Sequence, residues 1–404
     1  MLSAAAAIPH ARAASTTITR ITLANTEGRF HKFVAMNSYD KAPKGHTYQN
    51  TLVRVQTSQG VEGVGVMGYA APDADFRQAL QSLIGADPLS LYSMDSGRIV
   101  GRNPKYEAPL KKFRHLDGPL FDLVGKLTGK PAYRLLGDPV RDRVEAYDGT
   151  LYFSDVWFKD RGATAVVEEV QEAQRSGYRG VKLKLGRGSK WMEKTAGQRR
   201  DIEVVRAVRE AAGPRLLIMA DPNNGYRNDR DGAWRLLSET AAENLHWIEE
   251  IFPESVADYT WLKEQMEKAG MKTFIADGES VDQAVEFEPY LKPRRLIDVL
   301  QPDIRRFGFL DNLKTAQMAA AAGGLSIPHN WGAQMGLYMA LHLAKVAKAV
   351  ARVEDDRSTM DVITQEGYQF HDGMYTVPEK PGLSIAVDEG SYRMKCKPAE
   401  MVIA

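Results

Sequence analysis

The chain has 404 residues, of which 44% are hydrophobic, so it can bury a large core, and we expect two structural units. Its net charge of +1 comes from balanced acids and bases, which gives no support for a nucleic-acid partner. The single cysteine, Cys396, cannot form an internal disulfide or a cysteine metal cluster. No apolar run approaches the roughly 20 residues of a membrane span, so we predict no membrane partner.

The chain begins with an alanine-rich segment, residues 1–14, that resembles the end of an export signal. Ala11-Arg-Ala13 is a small-x-small cleavage pattern, but no basic segment precedes the short apolar run. A disordered tail is the alternative, so the expected location is either outside the cytoplasm (periplasmic) or cytoplasmic. We exclude this segment from the fold.

Strand-like patterns dominate residues 16–70. Thr17–Leu23 and Thr51–Thr57 alternate apolar and polar residues, and Val61–Val66 follows a turn, which predicts a hairpin. The polar stretch 25–50 between the strands is predicted to be a long loop, and loops of that length are usually functional or mobile.

The rest of the chain alternates between helix-length and strand-length segments. Helical spacing runs from Asp73 to about Tyr92 and from Gly118 to Leu136. Later, short apolar runs recur every 25–35 residues between amphipathic stretches, which is typical of parallel βαβ units. The eight runs are 144–149, 180–185, 216–220, 245–249, 273–277, 298–301, 325–328 and 350–354. Eight units favour an α/β fold of the closed (β/α)₈ barrel type rather than an open sheet.

Acidic residues end three consecutive barrel strands. Strand three ends in Asp221-Pro-Asn223, strand four in Glu249-Glu250, and strand five in Gly-Glu279. Taken singly, these acids could be a turn residue, a surface charge and the neighbour of a helix N-cap. Together at one barrel mouth they would repel one another unless a cation lay between them, and an all-oxygen site suits Mg²⁺. Zinc would call for histidine or cysteine ligands.

Basic groups end two other strands. Lys182 and Lys184 lie two apart on strand two, so they face the same way, although a solvated surface strand would also show this pattern. Beside a cation, the like charge of its partner would lower the pKa of one lysine and make it a base near neutral pH. His329 and Asp303 end adjacent strands, and such a pair keeps the imidazole basic. These groups predict abstraction of an α-proton from a carboxylate substrate, with the enediolate stabilised electrostatically.

The ordered motifs Lys-x-Lys, Asp-x-Asn, Glu-Glu, Gly-Glu, Gln-x-Asp, His and Pro-Gly-Leu, with the helix at 118–137, resemble the mandelate racemase subgroup of the enolase superfamily. The resemblance covers nearly all of the chain after residue 14. It implies a modified TIM barrel at 141–370. It also implies an α+β capping domain formed by 15–140 and the C-terminal tail, 371–404, which closes the site and confers specificity.

The resemblance also implies roles for the acidic residues. Asp221, Glu249 and Glu279 would be the metal ligands, and Asn223 would lie behind them. The family usually has proline directly after the Glu-Glu pair, whereas two residues intervene here, so the choice between Glu249 and Glu250 stays open.

The remaining catalytic roles follow from the same resemblance. Lys184 would be the base on one face of the substrate, with Lys182 tuning its pKa and contacting the substrate carboxylate. His329 with Asp303 would be the acid/base pair on the other face. Glu354 would lie where the family keeps a carboxylic acid donor to the substrate carboxylate.

The expected function is Mg²⁺-dependent dehydration of a sugar acid to a 2-keto-3-deoxy acid. Racemisation or epimerisation of a 2-hydroxy acid is the first alternative, because bases on both faces permit it. A barrel that binds carboxylates without chemistry is a remote alternative, since it would not need both bases and all three acids. We expect a small carboxylate substrate as partner, and a homo-oligomer.

Overall fold

The computed structural model describes residues 16–68 and 73–404, so the predicted leader or tail at 1–14 lies outside the described residues. The strands of the described chain, in order, are β1 (Ile18–Val34), β2 (Gly45–Thr57), β3 (Glu62–Gly68), β4 (Tyr92–Asp95), β5 (Arg98–Arg102), β6 (Arg143–Leu151), β7 (Gly180–Lys184), β8 (Leu217–Asp221), β9 (Trp247–Glu249), β10 (Phe274–Asp277), β11 (Val299–Leu300), β12 (Leu325–Ser326), β13 (Arg352–Asp355), β14 (Ser358–Met360), β15 (Ile363–Gln365), β16 (Gln369–His371), β17 (Met374–Thr376), β18 (Ile385–Val387) and β19 (Met401–Ile403). The α-helices are α1 (Ala74–Gln81), α2 (Glu107–Lys112), α3 (Asp117–Thr128), α4 (Ser154–Trp157), α5 (Thr164–Arg175), α6 (Lys194–Ala212), α7 (Arg230–Glu239), α8 (Val256–Lys268), α9 (Glu288–Leu291), α10 (Ile304–Ala321), α11 (Gln334–Val346) and α12 (Glu389–Lys395). None of these helices is both long enough and apolar enough to cross a membrane.

The N-terminal unit is an antiparallel sheet in the order β14-β1-β2-β3, with β19 also paired to β1. The predicted long loop at 25–50 is wrong, because most of it forms the extended β1–β2 ladder and only 35–44 connects the strands. Antiparallel ladders can expose one face to water, so a strand there can carry as many polar residues as a loop.

The two predicted helices of this unit are shorter than expected. The first, α1, ends at Gln81, and a turn through Gly85 (φ 79°) precedes a 3₁₀ turn at Pro88–Leu91. The second, α3, ends at Thr128 and is capped by Gly129, whose left-handed φ of 67° suits glycine, and a 3₁₀ turn at Ala132–Leu135 follows. In both cases glycine and proline stop the helix before its apolar pattern ends.

The barrel is confirmed, and a strand occupies each of the eight predicted positions. Strands β6 to β12 pair in sequence order, all parallel, and β13 pairs with β6 to close the ring. Between β12 and β13 the link is a hydrogen bond from Ser326 N to Ala349 O at 3.0 Å. The centre is filled by buried side chains from the strands, and from the residue that follows β12: Tyr147, Met219, Trp247, Ala276, Val299 and Ile327.

The C-terminal tail contacts both units. Strand β19 pairs with β1 as expected for a returning tail, with Ile403 opposite Ile21. The β16–β17 hairpin instead extends the barrel sheet by pairing with β6, so the predicted limit at 370/371 falls inside this hairpin. Asp122 of α3 accepts hydrogen bonds from Val64 N and Leu383 N, and thereby joins the tail to the N-terminal sheet.

Candidate active site

Three carboxylates meet at the carboxyl end of the barrel. Asp221 ends β8, Glu249 ends β9, and Glu279 lies two residues past β10. One carboxylate oxygen of each lies within 4.8 Å of the other two. Among the described residues, Glu279 Oε2 is a buried oxygen without a hydrogen-bond donor. An oxygen-only group of this kind fits Mg²⁺, and the adjacent parallel strands explain why it forms.

The adjacent acids Glu249 and Glu250 have different surroundings. Glu249 Oε2 accepts hydrogen bonds from Trp247 Nε1 and Gln301 Nε2, both at 3.0 Å, so its orientation is fixed. Burial raises the pKa of Glu249 to about 7, although nearby lysines oppose the shift. Glu250 has a positive φ of 41°, which directs its side chain differently. Glu249 is therefore the member of the pair that lies with the other two carboxylates.

Asn223 connects this group to the capping loop, which we define as residues 35–44. Its backbone N donates to Asp221 Oδ1 at 2.9 Å, and its side chain donates to Glu250 Oε2 at 2.8 Å. Asn37 of the capping loop donates to Asn223 Oδ1 at 2.8 Å, and Tyr39 donates to Glu250 Oε1 at 3.0 Å. Sequence reasoning did not identify Asn37, and it counted Tyr39 only as a residue of a long loop.

The two lysines of β7 face the carboxylates, as the strand alternation predicts. Lys182 Nζ lies 2.7 Å from Glu249 Oε1, 2.8 Å from Glu354 Oε1 and 3.5 Å from Asp221 Oδ2. Lys184 Nζ donates to Asp221. Burial lowers the pKa of each lysine, but the surrounding acids outweigh burial, so the pKa of each lies above its usual value. The sequence-based expectation of a lowered pKa concerned a lysine beside a bound cation, so it stays a prediction.

His329 and Asp303 lie together on the other side of the site. His329 Nδ1 is 2.9 Å from Asp303 Oδ2, and His329 Nε2 is 3.4 Å from Glu279 Oε2. Burial lowers the pKa of His329, but Glu279 and the hydrogen bond to Asp303 outweigh it and raise this pKa to about 9. Burial raises the pKa of Asp303, but Arg305 and the imidazole hold it well below its usual range. Both shifts favour a charged imidazolium paired with an ionised carboxylate.

Glu354 is the next-to-last residue of β13 and points into the same space. Its Oε1 contacts Lys182, and its Oε2 accepts a hydrogen bond from Asn330 N at 3.1 Å. Gly149 on the neighbouring strand leaves room for it, because a Cβ there would lie 2.6 Å from Glu354 Oε1. The adjacent Asp355 instead accepts hydrogen bonds from tyrosine hydroxyl groups elsewhere.

Three aromatic rings, Phe30, Tyr152 and Trp331, line one side of the site, and we call them the aromatic wall. Lys184 Nζ lies 5.4 Å from the centre of the Tyr152 ring. The ring centres of Tyr152 and Trp331 are 4.8 Å apart, and those of Trp331 and Phe30 are 4.9 Å apart. Trp331 could have been found because it follows His329 by two residues, whereas nothing in the sequence singles out Phe30 or Tyr152.

A second group of possible metal ligands lies elsewhere, formed by His31, Asp148 and Glu172. Arg357 Nη1 lies 3.0 Å from Asp148 Oδ2 and 2.6 Å from Glu172 Oε2. This guanidinium balances the two acids, so the group has no need of a metal.

The fold and these groups together define a barrel enzyme of the enolase type, with carboxylates at the mouth between a lysine and a histidine. The sequence model for the Enolase C-terminal domain-like family matches residues 165–391. The chain belongs to this family, and its structural neighbours are mandelate racemase-like members of the enolase superfamily.

Curated relatives align along most of their length. The chain is 28% identical to D-galactarolactone cycloisomerase of Agrobacterium fabrum, over 84% of this chain and 89% of that protein. It is 27% identical to arabinonate dehydratase of Saccharolobus solfataricus, over 87% of this chain and 92% of that protein. The crystal structure of a mutant of galacturonate dehydratase from Geobacillus sp., complexed with Mg, superimposes with a TM-score of 0.83 at 28% identity, covering 97% and 98% of the two chains.

Proposed function

We propose that the chain is a Mg²⁺-dependent dehydratase of a sugar acid, which removes the α-proton and releases the β-hydroxyl to give a 2-keto-3-deoxy acid. The observation that carries the proposal is the meeting of Asp221, Glu249 and Glu279 between Lys184 and His329. The dehydratases among its relatives support the same reaction.

The residues that would hold the metal are Asp221, Glu249 and Glu279. Glu279 Oε2 has no donor among the described residues, and the group offers only oxygen ligands, as Mg²⁺ prefers. Bound there, Mg²⁺ would neutralise the negative charge that develops on the substrate carboxylate as the α-proton leaves.

Lys184 and His329 have complementary roles in the proposed reaction. Lys184 contacts Asp221, and His329 contacts Glu279, which are two of the three grouped carboxylates. A substrate held at these carboxylates would therefore lie between Lys184 and His329. Lys184 first gives its ammonium proton to solvent, and the neutral amine then takes the α-proton. His329, protonated at neutral pH, gives its proton to the departing β-hydroxyl, and Asp303 holds the ring in place.

Lys182 and Glu354 form a second pair that would hold the substrate carboxylate. Lys182 Nζ and Glu354 Oε1 are 2.8 Å apart, and both side chains are buried. This contact lies beside the three grouped carboxylates. Lys182 would donate a charged hydrogen bond to one substrate carboxylate oxygen, and Glu354 lies where it would contact the other.

The experiment is a screen of aldonic and aldaric acids with Mg²⁺, in which 2-keto-3-deoxy products are detected as semicarbazones. Lys184→Ala and His329→Ala should each abolish product formation, whereas Lys263→Ala, which removes a lysine paired with Asp298 outside the site, should not. Unchanged conversion in both site variants would refute the assigned roles. Deuterium at Cα without loss of water would instead indicate the racemase or epimerase alternative.

A further inference from the structure

The aromatic wall belongs to a buried apolar cluster between the capping unit and the barrel mouth. Phe30 comes from β1, Tyr152 follows the first barrel strand, and Trp331 follows the seventh. Tyr152 is 2% exposed and Phe30 is 6% exposed, and Met36 of the capping loop packs with them. Residues distant in sequence thus build one continuous apolar surface.

This wall runs from one proposed catalytic group to the other. Tyr152 places its ring over Lys184, and Trp331 lies two residues from His329 while contacting Tyr152. A substrate held beside Lys184 would therefore lie against the Tyr152 end of the wall. The faces of aromatic rings carry partial negative charge, so they attract C–H groups and repel a carboxylate.

Neighbouring cations of the mouth are already bound to groups of the protein. Lys190 Nζ donates to Tyr39 O and Asp40 O, at 3.0 and 2.8 Å. Lys44 pairs with Asp40 at 2.7 Å. Arg305 donates to Trp331 O at 2.7 Å, and its charge is paired with Asp303 at 3.8 Å, although its buried Nε has no hydrogen-bond partner among the described residues. A second carboxylate on the substrate would have to displace one of these contacts or be buried without a partner, and burying an unpaired charge is very unfavourable.

We infer that the site selects sugar acids with a single carboxylate, whose far end is a hydroxymethyl or methyl group lying on the aromatic wall. Aldonic and 6-deoxyaldonic acids fit this description, and the dicarboxylic aldaric acids do not. The inference rests on the proposed function, because it concerns the substrate of the same site.

The test compares acids that differ only at the terminal carbon. L-Fuconate, L-galactonate and galactarate form one such series, and L-rhamnonate, L-mannonate and L-mannarate form another. In the series that is dehydrated, kcat/KM for the aldarate should be at least about 100-fold below that of its monocarboxylic partners, as expected for an unpaired buried charge. An aldarate within about tenfold of its partners would overturn the inference.

Two variants distinguish the effect of the aromatic wall on substrate preference from that of Lys41, the most exposed cation of the capping loop. Trp331→Arg adds a cation to the wall and should raise the aldarate-to-aldonate ratio of kcat/KM at least about tenfold. Lys41→Ala should leave that ratio unchanged, because Lys41 is exposed. The role of the wall would be overturned if the aldarate-to-aldonate ratio of kcat/KM did not rise in Trp331→Arg. It would also be overturned if that ratio changed in Lys41→Ala. Phe30→Leu is the conservative second variant if Trp331→Arg does not fold. It should lower kcat/KM for 6-deoxyaldonates more than kcat/KM for aldarates.

A binding measurement keeps the inference separate from the proposed reaction. Calorimetric titration of the Mg²⁺-loaded protein gives dissociation constants whether or not water is lost. If monocarboxylic acids bind at least about tenfold more tightly than aldarates but none is dehydrated, the inference stands and the proposed function fails. If aldarates bind as tightly or more tightly, or if no acid binds, the inference fails.

Discussion

One carboxylate, Asp303, joins the imidazole of His329 to the start of α10. Its Oδ2 lies 2.9 Å from His329 Nδ1, while its Oδ1 accepts hydrogen bonds from Arg305 N and Arg306 N, both at 2.9 Å. The two residues also form an isolated parallel bridge between the ends of adjacent strands. The orientation of the proposed proton donor is therefore tied to a helix N-terminus.

Replacing Asp303 with asparagine separates these two roles. Asparagine still caps the helix, but it removes the charge that helps to hold the pKa of His329 at about 9. The pKa of His329 should fall, so the basic limb of the dehydration rate, where the imidazolium is lost, should move to lower pH. We expect kcat to fall about 10–100-fold, near the lower range for acid catalysis. Dehydration rates measured from pH 6 to 10 test this prediction, with Asp298→Asn as the control. A basic limb at the same pH in Asp303→Asn and in the unsubstituted protein would contradict it.

The barrel and its acids could be predicted because the signals are local. Each strand is a short apolar run, and its carboxyl end carries the reactive residue, so strand order alone placed Asp221, Glu249 and Glu279 at one mouth. Phe30 and Asn37 could not be predicted, because they reach the site through contacts with Trp331 and Asn223, far away in the sequence. The long hairpin that carries Phe30 looked like a loop because its exposed face is polar.

The contacts of the two lysines could not be predicted for a different reason. The sequence shows Lys182 and Lys184 as like charges on one strand, but it does not show which acids they contact. Pairing with Asp221 and Glu249 outweighs both burial and mutual repulsion. The direction of such a shift depends on distances of a few ångströms that no spacing rule provides.

The neighbouring acids Glu249 and Glu250 provide a matched pair for the metal site. Glu249→Gln should abolish the rise in melting temperature caused by Mg²⁺, because it removes one of three grouped carboxylates. Glu250→Gln should keep that rise, because Glu250 is bonded to Asn223 and Tyr39. Thermal unfolding with Mg²⁺ and with chelator measures both. The opposite outcome would assign the ligand to Glu250.

The space that Gly149 leaves for Glu354 gives a prediction about the substrate-binding pair. Gly149→Ala would place a Cβ 2.6 Å from Glu354 Oε1 and force that carboxylate away from Lys182. KM for the sugar acid should rise, and kcat should fall at least about tenfold, because a small misplacement can cost about 100-fold. Gly101→Ala is the control, since a Cβ added there would meet no atom within 4 Å. Equal kinetics in the two variants would argue against a role for Glu354.

A buried ion group supports the backbone of Lys184. Arg187 is 0% exposed, and it pairs with Asp155 at 2.7 Å and with Asp201 at 2.8 Å. It also donates to Lys184 O at 3.2 Å, so it fixes the end of the strand that carries the proposed base. Arg187 is thus a positioning residue.

Arg187→Met should lower the free energy of unfolding by about 3–5 kcal/mol, because it removes the buried cation between two buried carboxylates. Arg98→Met breaks an exposed pair with Asp138 and should cost no more than about 1 kcal/mol. Denaturant unfolding measures both. Arg187→Lys keeps a charge, and it should retain more kcat than Arg187→Met if position matters; equal kcat in the two would indicate a purely structural role.

The buried imidazole of His342 should make the stability of the folded protein depend on pH. It is buried in α11, where Nδ1 accepts a hydrogen bond from Tyr133 N at 3.1 Å and Nε2 lies 2.8 Å from Tyr368 Oη. Burial, together with the charge of Lys345, lowers its pKa from 6.5 to about 3. The folded protein therefore keeps this imidazole neutral, whereas the unfolded chain binds a proton below pH 6.5. Its contribution to stability is complete above pH 6.5 and is lost as the pH falls toward 3.

His342→Asn keeps an acceptor for Tyr133 N but cannot bind a proton. Below pH 6.5, the free energy of unfolding of the unsubstituted protein should fall more steeply than that of the variant, by about 1.4 kcal/mol per pH unit. The two proteins should therefore differ most at pH 7.5 and converge as the pH falls to 4.5. Urea unfolding at pH 7.5, 6.0, 5.0 and 4.5 measures this difference. Parallel pH dependences would mean that His342 takes up its proton in the folded protein, which its buried position between two hydrogen-bonding partners argues against.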